Sequence, residues 1–423
     1  MNISKMEENI ESKKLSILLG IKSKYNLKKI FGIIQCHQFL NIIRYNKSLQ
    51  KKVNININDY KNYLAIEIEL EVQPQEKKQE NKFIHLFDEN YCHIYINDNI
   101  EETKGNSKIK NYITAENKAK KVKVILDYEI KSLNALFYDC KCIKKINFIK
   151  FNRKNIIDMN SMFNGCSSLE ELDLSNFCTY NVKYMNYMFY QCAILKELNL
   201  SKFETKNVTN MSSMFAFCTG LKELDISNFN TNNVTDMSFM FQGILFLEKI
   251  NLSNISTENV KNLSGMFQGC SSLKELDLSD FNTNEVKNMS SLFQGCSSLR
   301  KLNISNFNTI NVKTMDHMFQ ECSSLIDLDL SHFNTINVDN MNSMFYECSS
   351  LVKLNISNFN IYNVTSMNSM FKNCRRLKKL AFPGFKANYG TDMTDIFSGC
   401  DELRYNNEWG NSIKQSKDSC TCF

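Results

Sequence analysis

The sequence predicts an α/β repeat solenoid, in which a short strand and a short helix alternate along stacked coils, and three observations predict it. Ten of the 16 cysteines fall on one arithmetic series with a step of 26: Cys140, Cys166, Cys192, Cys218, Cys270, Cys296, Cys322, Cys348, Cys374 and Cys400. The one remaining place in that series is held by Ile244. A phenylalanine keeps the same step, from Phe137, Phe163 and Phe189 through Phe293 to Phe371 and Phe397. The third observation is that eleven copies, over residues 131 to 405, carry no insertion or deletion. A fixed period of this size means that each unit buries its apolar face against its neighbours.

One unit, from Leu221 onward, shows the elements. Leu224, Asp225 and Ile226 alternate with period two and predict a short strand. Met237, Met240, Phe241 and Ile244 recur at i, i+3, i+4 and i+7, which predicts a two-turn helix with Thr235 or Asp236 available to cap it. A helix that short persists only by stacking on its neighbours. The recurring L-x-x-L-D/N-L-S-N-F-N-T-x-N-V-x-x-M-x-x-M-F-x-x-C-S-S, as at Leu273 to Ser298 with Asp280, Glu285 and Leu292 as departures, resembles the BspA-like leucine-rich repeat. That repeat occurs in surface proteins of bacteria and protists and was first catalogued in mycoplasma lipoproteins. The resemblance covers roughly two-thirds of the chain. It implies a right-handed coil with a parallel sheet on one face and short helices on the other, and it does not imply an enzyme.

The flanks read differently. Residues 1 to 61 hold twelve Lys/Arg against four Asp/Glu, whereas the whole chain of 423 residues carries only +6. The whole-chain balance is too small to argue for nucleic acid, and any electrostatic partner belongs to the N-terminal end. Leu27, Ile30, Phe31, Ile34, Phe39, Ile42 and Ile43 stand at helical spacing, so a basic helical region is expected over 1–61. Residues 25 to 50 also resemble an F-box, which joins substrate-recruiting repeats to a ubiquitin ligase, although the Leu-Pro opening is missing and Leu49 stands near where tryptophan is common. Strand-like runs at Leu64 to Val72, His93 to Ile96 and Val122 to Leu126 predict a small β-rich lead-in over 62–130. Pro383, without an N–H for a ladder, suits the final edge, and residues 406–423, with Trp409, read as a polar cap and tail. The start of the chain reads as neither a secretory signal nor a membrane span.

No catalytic constellation is legible: the five histidines are scattered, and no phosphate loop, dinucleotide fingerprint or paired C-x-x-C occurs. No cofactor or metal is expected. The cysteine column reads as buried free thiols filling a dry apolar slot, since Ile244 substitutes for one of them and equivalent side chains in adjacent coils do not converge. Such thiols fit a reducing compartment, which points to the cytoplasm.

The outward face of the strands carries the candidate binding residues. One column alternates as Asp173, Asn199, Asp225, Asn251, Asp277, Asn303, Asp329 and Asn355. Two residues earlier stand Glu171, Glu197, Glu223, Lys249, Glu275, Lys301, Asp327 and Lys353, alternating in sign from Glu223 onward. Alternation avoids like charges side by side, worth a few tenths to about 1 kcal/mol per pair. The same polar stripe is the expected docking surface, on the concave face, for a protein partner or a glycan. The sequons at Asn207, Asn233 and Asn363 sit on the repeat's own frame, with their valines inward. The chain ends Cys420-Thr-Cys-Phe423, a C-a-a-X pattern that favours geranylgeranylation of Cys420 and that some similar protist proteins share. With Lys22, Lys24, Lys28 and Lys29 as a second attraction, it would place the chain on a cytosolic membrane surface. The expected function is a non-enzymatic protein-interaction scaffold. The alternatives are a cell-surface adhesin of the BspA-like type and an F-box-like substrate receptor.

Overall fold

The computed structural model describes residues 47–53, 57–73, 81–86, 91–97, 112–113, 119–382 and 390–403. The helical spacing read over 27–43, most of the F-box resemblance, and Pro383, Trp409 and Cys420 lie outside them. Helices α1 (Lys47–Val53) and α2 (Ile57–Leu64) lead into strand β1 (Ile66–Val72). In β1 every second residue, Ile66, Ile68, Leu70 and Val72, is buried while Glu69 and Glu71 face solvent. Strand β5 (Lys121–Leu126) repeats the pattern with Val122, Val124 and Leu126 inward. With β3 (Cys92–Ile96), β6 (Ile143–Lys150) and β7 (Glu171–Asp173) they form one sheet in the order β3-β5-β1-β6-β7. A separate small pair joins β2 (Asn81–Lys82) to β4 (Tyr112–Ile113).

Strand β6 is where the two parts meet. It runs antiparallel to β1 on one side and parallel to β7 on the other, so the lead-in sheet continues directly into the first strands of the solenoid. Three-residue strands follow at the repeat step: β8 (Glu223–Asp225), β9 (Lys249–Asn251), β10 (Glu275–Asp277), β11 (Lys301–Asn303), β12 (Asp327–Asp329), β13 (Lys353–Asn355) and β14 (Lys379–Ala381). They pair in parallel as β8·β9, β10·β11 and β12·β13·β14. The sheet is therefore divided, and Glu197 to Asn199 lie in no strand. Strands of three residues carry so few ladder bonds that the loss of one ends the pairing.

The expected helices do not form. Over Met237 to Ile244 the chain makes successive tight turns: Met240, Gln242 and Ile244 donate to carbonyls three residues back. Met237, Phe239, Phe241 and Gly243 donate instead to Asn262, Ser264, Met266 and Gln268 of the next coil. Two residues per coil have positive φ, here Phe239 and Gly243, and an α-helix admits neither. Half of the N–H groups thus point along the solenoid axis, where they bind the neighbouring coil. Parallel bridges connect equivalent positions every 26 residues from Ser132 to Asp392.

The core consists of columns. Rings of the phenylalanine series stack from Phe137 to Phe397 with centroids 5.2 to 6.1 Å apart. The thiol of each later cysteine in the column donates to the carbonyl of the phenylalanine 29 residues earlier, as Cys218 Sγ to Phe189 at 3.0 Å and Cys296 Sγ to Phe267 at 3.2 Å. All cysteines of the column are free, and Ile244 fills its own place fully buried. Burial pushes these thiols up, Cys218, Cys296 and Cys348 to about 12, because a thiolate would be stripped of water there. A third column of buried threonines clamps adjacent coils: Thr309 Oγ1 donates to the Asn334 carbonyl at 2.9 Å and accepts from the Asn334 N–H at 2.8 Å. The first place in that column holds Arg153, buried, with one Nη donating to the Asp127 carbonyl at 2.7 Å. Burial lowers the pKa of Arg153 to about 10.

Candidate functional site

Each short strand turns its apolar centre inward and its two flanking side chains outward, because successive residues of a strand point to opposite faces. Glu171, Asp173, Glu197, Asn199, Glu223, Asp225, Lys249, Asn251, Glu275, Asp277, Lys301, Asn303, Asp327, Asp329 and Lys353 are all exposed, and Asn355 is half-buried. Parallel register sets Glu223 beside Lys249, Glu275 beside Lys301 and Asp327 beside Lys353. The ammonium groups meet their carboxylates at 2.9, 2.6 and 4.0 Å, and Lys145 pairs with Glu171 in the same way. These pairs stand in water, so each contributes little to stability and serves mainly to fix side-chain direction.

The Asp/Asn column has a local task that its alternation did not reveal. Asp225, Asp277 and Asp329 each accept the N–H of the serine two residues on at 2.9 Å, closing the turn that ends the strand. That bond, with the serine hydroxyl and the amide of the following Asn251, Asn303 or Asn355, holds these carboxyls below the usual range. In these three coils the alternation of aspartate and asparagine gives the carboxylate its neighbour's amide.

The sequon asparagines are also engaged. Asn207, Asn233 and Asn363 donate to the carbonyls of Tyr180, Lys206 and Ile336 of the preceding coil at 2.9, 2.7 and 2.7 Å, with Val208, Val234 and Val364 buried beneath. Their spacing follows from the ladder.

A groove of about 1450 Å³ runs over the strand face from Ala193 to Glu275. Its charged lining includes Lys196, Lys222 and Lys274, for which no carboxylate stands within ion-pair distance among the described residues. Its apolar lining departs from the repeat. The place before the strand held by Ser272, Ser298, Ser324 and Ser350 is occupied by Ile194, Gly220 and Phe246 in three successive coils. Phe246 is 57% exposed and Ile194 42%. A side chain on Gly220 would meet the Leu195 carbonyl oxygen at 2.7 Å, so the backbone packs closely on the preceding coil there and no side chain stands between the two apolar groups. The columns read from the sequence do not include these residues. The signal was present, since Ile244-Leu245-Phe246 replaces the Cys-Ser-Ser of other coils. Farther along the same face, Ile326 is 53% exposed where the two preceding coils carry Lys274 and Arg300.

Among the described residues no group of three or more His, Cys, Asp or Glu could hold a metal ion, and no helix is long and apolar enough to cross a membrane. A family model described as Mycoplasma protein of unknown function, DUF285, matches residues 131–249, 194–302, 218–325, 244–352 and 299–409. No curated protein matches the chain. Among solved structures, a leucine-rich repeat protein from Bacteroides ovatus is similar over 66% of this chain and 70% of its own, at 20% identity and a TM-score of 0.40. A Leptospira interrogans leucine-rich repeat protein is similar over 65% and 77%, at 14% identity and a TM-score of 0.23. The Drosophila Toll–Spatzle complex is similar over 62% and 40%, at 15% identity and a TM-score of 0.27.

Proposed function

The chain belongs to the family of mycoplasma-type repeat proteins described as DUF285, and from that premise we propose that it is a non-enzymatic interaction scaffold whose strand face receives a protein partner. The observation that carries this reading is the apolar break in the groove. Serine suffices before the strand in coil after coil, so the fold does not require Ile194 and Phe246 there. Exposed apolar side chains gathered in a groove and rimmed by charge have the composition of a binding hot spot. The rigid ladder beneath them presents the surface with no ordering cost.

Photo-crosslinking tests the reading. A crosslinking amino acid at Lys222, inside the groove, is expected to capture a protein in cells, and one at the exposed Lys287 to capture none. Restoring the repeat with Ile194→Ser and Phe246→Ser is expected to abolish the Lys222 adduct. Equal capture from both positions, or capture that survives the double substitution, contradicts it.

A further inference from the structure

Resting on the reading of the strand face as a docking surface, we propose that its occupant is a second copy of this chain, packed face to face with its coils running in the opposite order. The sign pattern of the face supports this arrangement. The column Glu223, Lys249, Glu275, Lys301, Asp327, Lys353 changes sign at every coil, and all six side chains are exposed. A two-fold pair with the same coil order, or with opposed order in an even register, sets each negatively charged coil on a negatively charged coil. A two-fold axis along the strands in odd register sets opposite charges together throughout. Centred between Glu275 and Lys301, it places Glu275 on Lys301, Lys249 on Asp327 and Glu223 on Lys353 of the other copy. Aspartates meet asparagines in the adjoining column by the same symmetry.

The apolar residues select that register. Ile326 lies on the coil of Asp327, which meets the coil of Lys249, where Phe246 stands two residues before Glu248. Ile326 of one copy therefore comes within side-chain reach of Phe246 of the other. The next coil brings Val352 toward Gly220, which carries no side chain. One like-charged meeting remains: Lys274 faces Arg300 on either side of the axis. Six coils at about 4.8 Å by five residues at about 3.3 Å give a footprint of about 29 by 16 Å. That is at the small end for a specific interface, so a micromolar, salt-sensitive dimer is expected.

Sedimentation velocity on the full chain at low salt tests this. The wild type is expected to dimerise reversibly at tens of micromolar and to dissociate at high salt. Glu275→Lys and Lys301→Glu alone are each expected to raise the dissociation constant at least tenfold. An equimolar mixture of these two variants is expected to dimerise again, because the lysine introduced in one chain then meets the glutamate introduced in the other. Restoration by mixing cannot arise from a change in the fold of either chain. Arg300→Glu, which removes the like-charged meeting, is expected to tighten the dimer. A wild type that stays monomeric at low salt, or a mixture that stays monomeric while the wild type dimerises, overturns the proposal. The Lys222 crosslink separates this failure from failure of the scaffold reading: an adduct to a different protein retains the scaffold without the dimer, and an adduct of twice the chain mass is the dimer itself.

Discussion

Raising the pH to about 10 is expected to unfold the solenoid. Nine fully buried thiols of the column, from Cys140 to Cys374, have pKa values pushed above their ordinary 9.0, first of all by burial. A group whose pKa rises on folding contributes its stability in full below the unfolded value and loses it as the pH climbs toward the folded one. One unit above 9.0, each thiol forfeits about 1.4 kcal/mol, and nine together forfeit on the order of 10 kcal/mol. That is comparable to the whole stability of an ordinary domain. Eight of the nine, from Cys166 to Cys374, can keep the S–H that donates to a phenylalanine carbonyl of the preceding coil only while protonated, so the folded state cannot relieve the loss by ionising in place. Circular dichroism against pH is expected to show a steep transition between about pH 9 and 11. A variant with valine at Cys218, Cys270 and Cys296 is expected to show a shallower one at higher pH. A wild type that keeps its spectrum to pH 12 contradicts the dry column.

Phe267→Ala is expected to cost about 3 to 5 kcal/mol, by lost transfer energy and by the cavity left behind. Its ring is fully buried and lies 5.4 Å from Phe241 and 6.1 Å from Phe293, so no solvent-facing movement can fill the space. Because coils couple only to their neighbours, the gap also weakens the joint between the two halves of the array. Urea titration is expected to show a lower midpoint and a broader, divided transition. Phe246→Ser, by contrast, changes an exposed ring and is expected to stay within about 0.5 kcal/mol of wild type. Equal losses for the two would mean that the assignment of inside and outside is wrong.

The repeat step was legible because two side-chain types, cysteine and phenylalanine, recur in places that tolerate little else. The interior was misread at one point, for a physical reason. Met237, Met240, Phe241 and Ile244 satisfy helical spacing, yet chained three-residue turns bring the same four side chains to one side. The discriminating residue stands immediately before the cysteine or its substitute. Gly165, Gly243, Gly269, Gly295 and Gly399 hold that place with positive φ, and a glycine there breaks a helix but allows a left-handed turn. In other coils Gln191, Phe217 and Glu321 adopt the same φ, which hid the rule from inspection of residue types.

The candidate face was legible as alternating columns, and the ion pairs formed in the expected register. Two features were not legible. The closing of each strand's turn by its own aspartate or asparagine depends on backbone direction, which a pattern of residue types does not carry. The groove depends on three departures from the repeat at Ile194, Gly220 and Phe246, and reading by consensus averages such departures away.

Alkylation of the native chain tests the central claim most directly: that the 26-residue coils stack around a water-free spine of thiols. With iodoacetamide near neutral pH, followed by peptide mass mapping, the nine cysteines from Cys140 to Cys374 are expected to remain unmodified for hours and to react completely in denaturant. All nine are no more than 1% exposed. Rapid modification of most of them in the native chain would contradict the account.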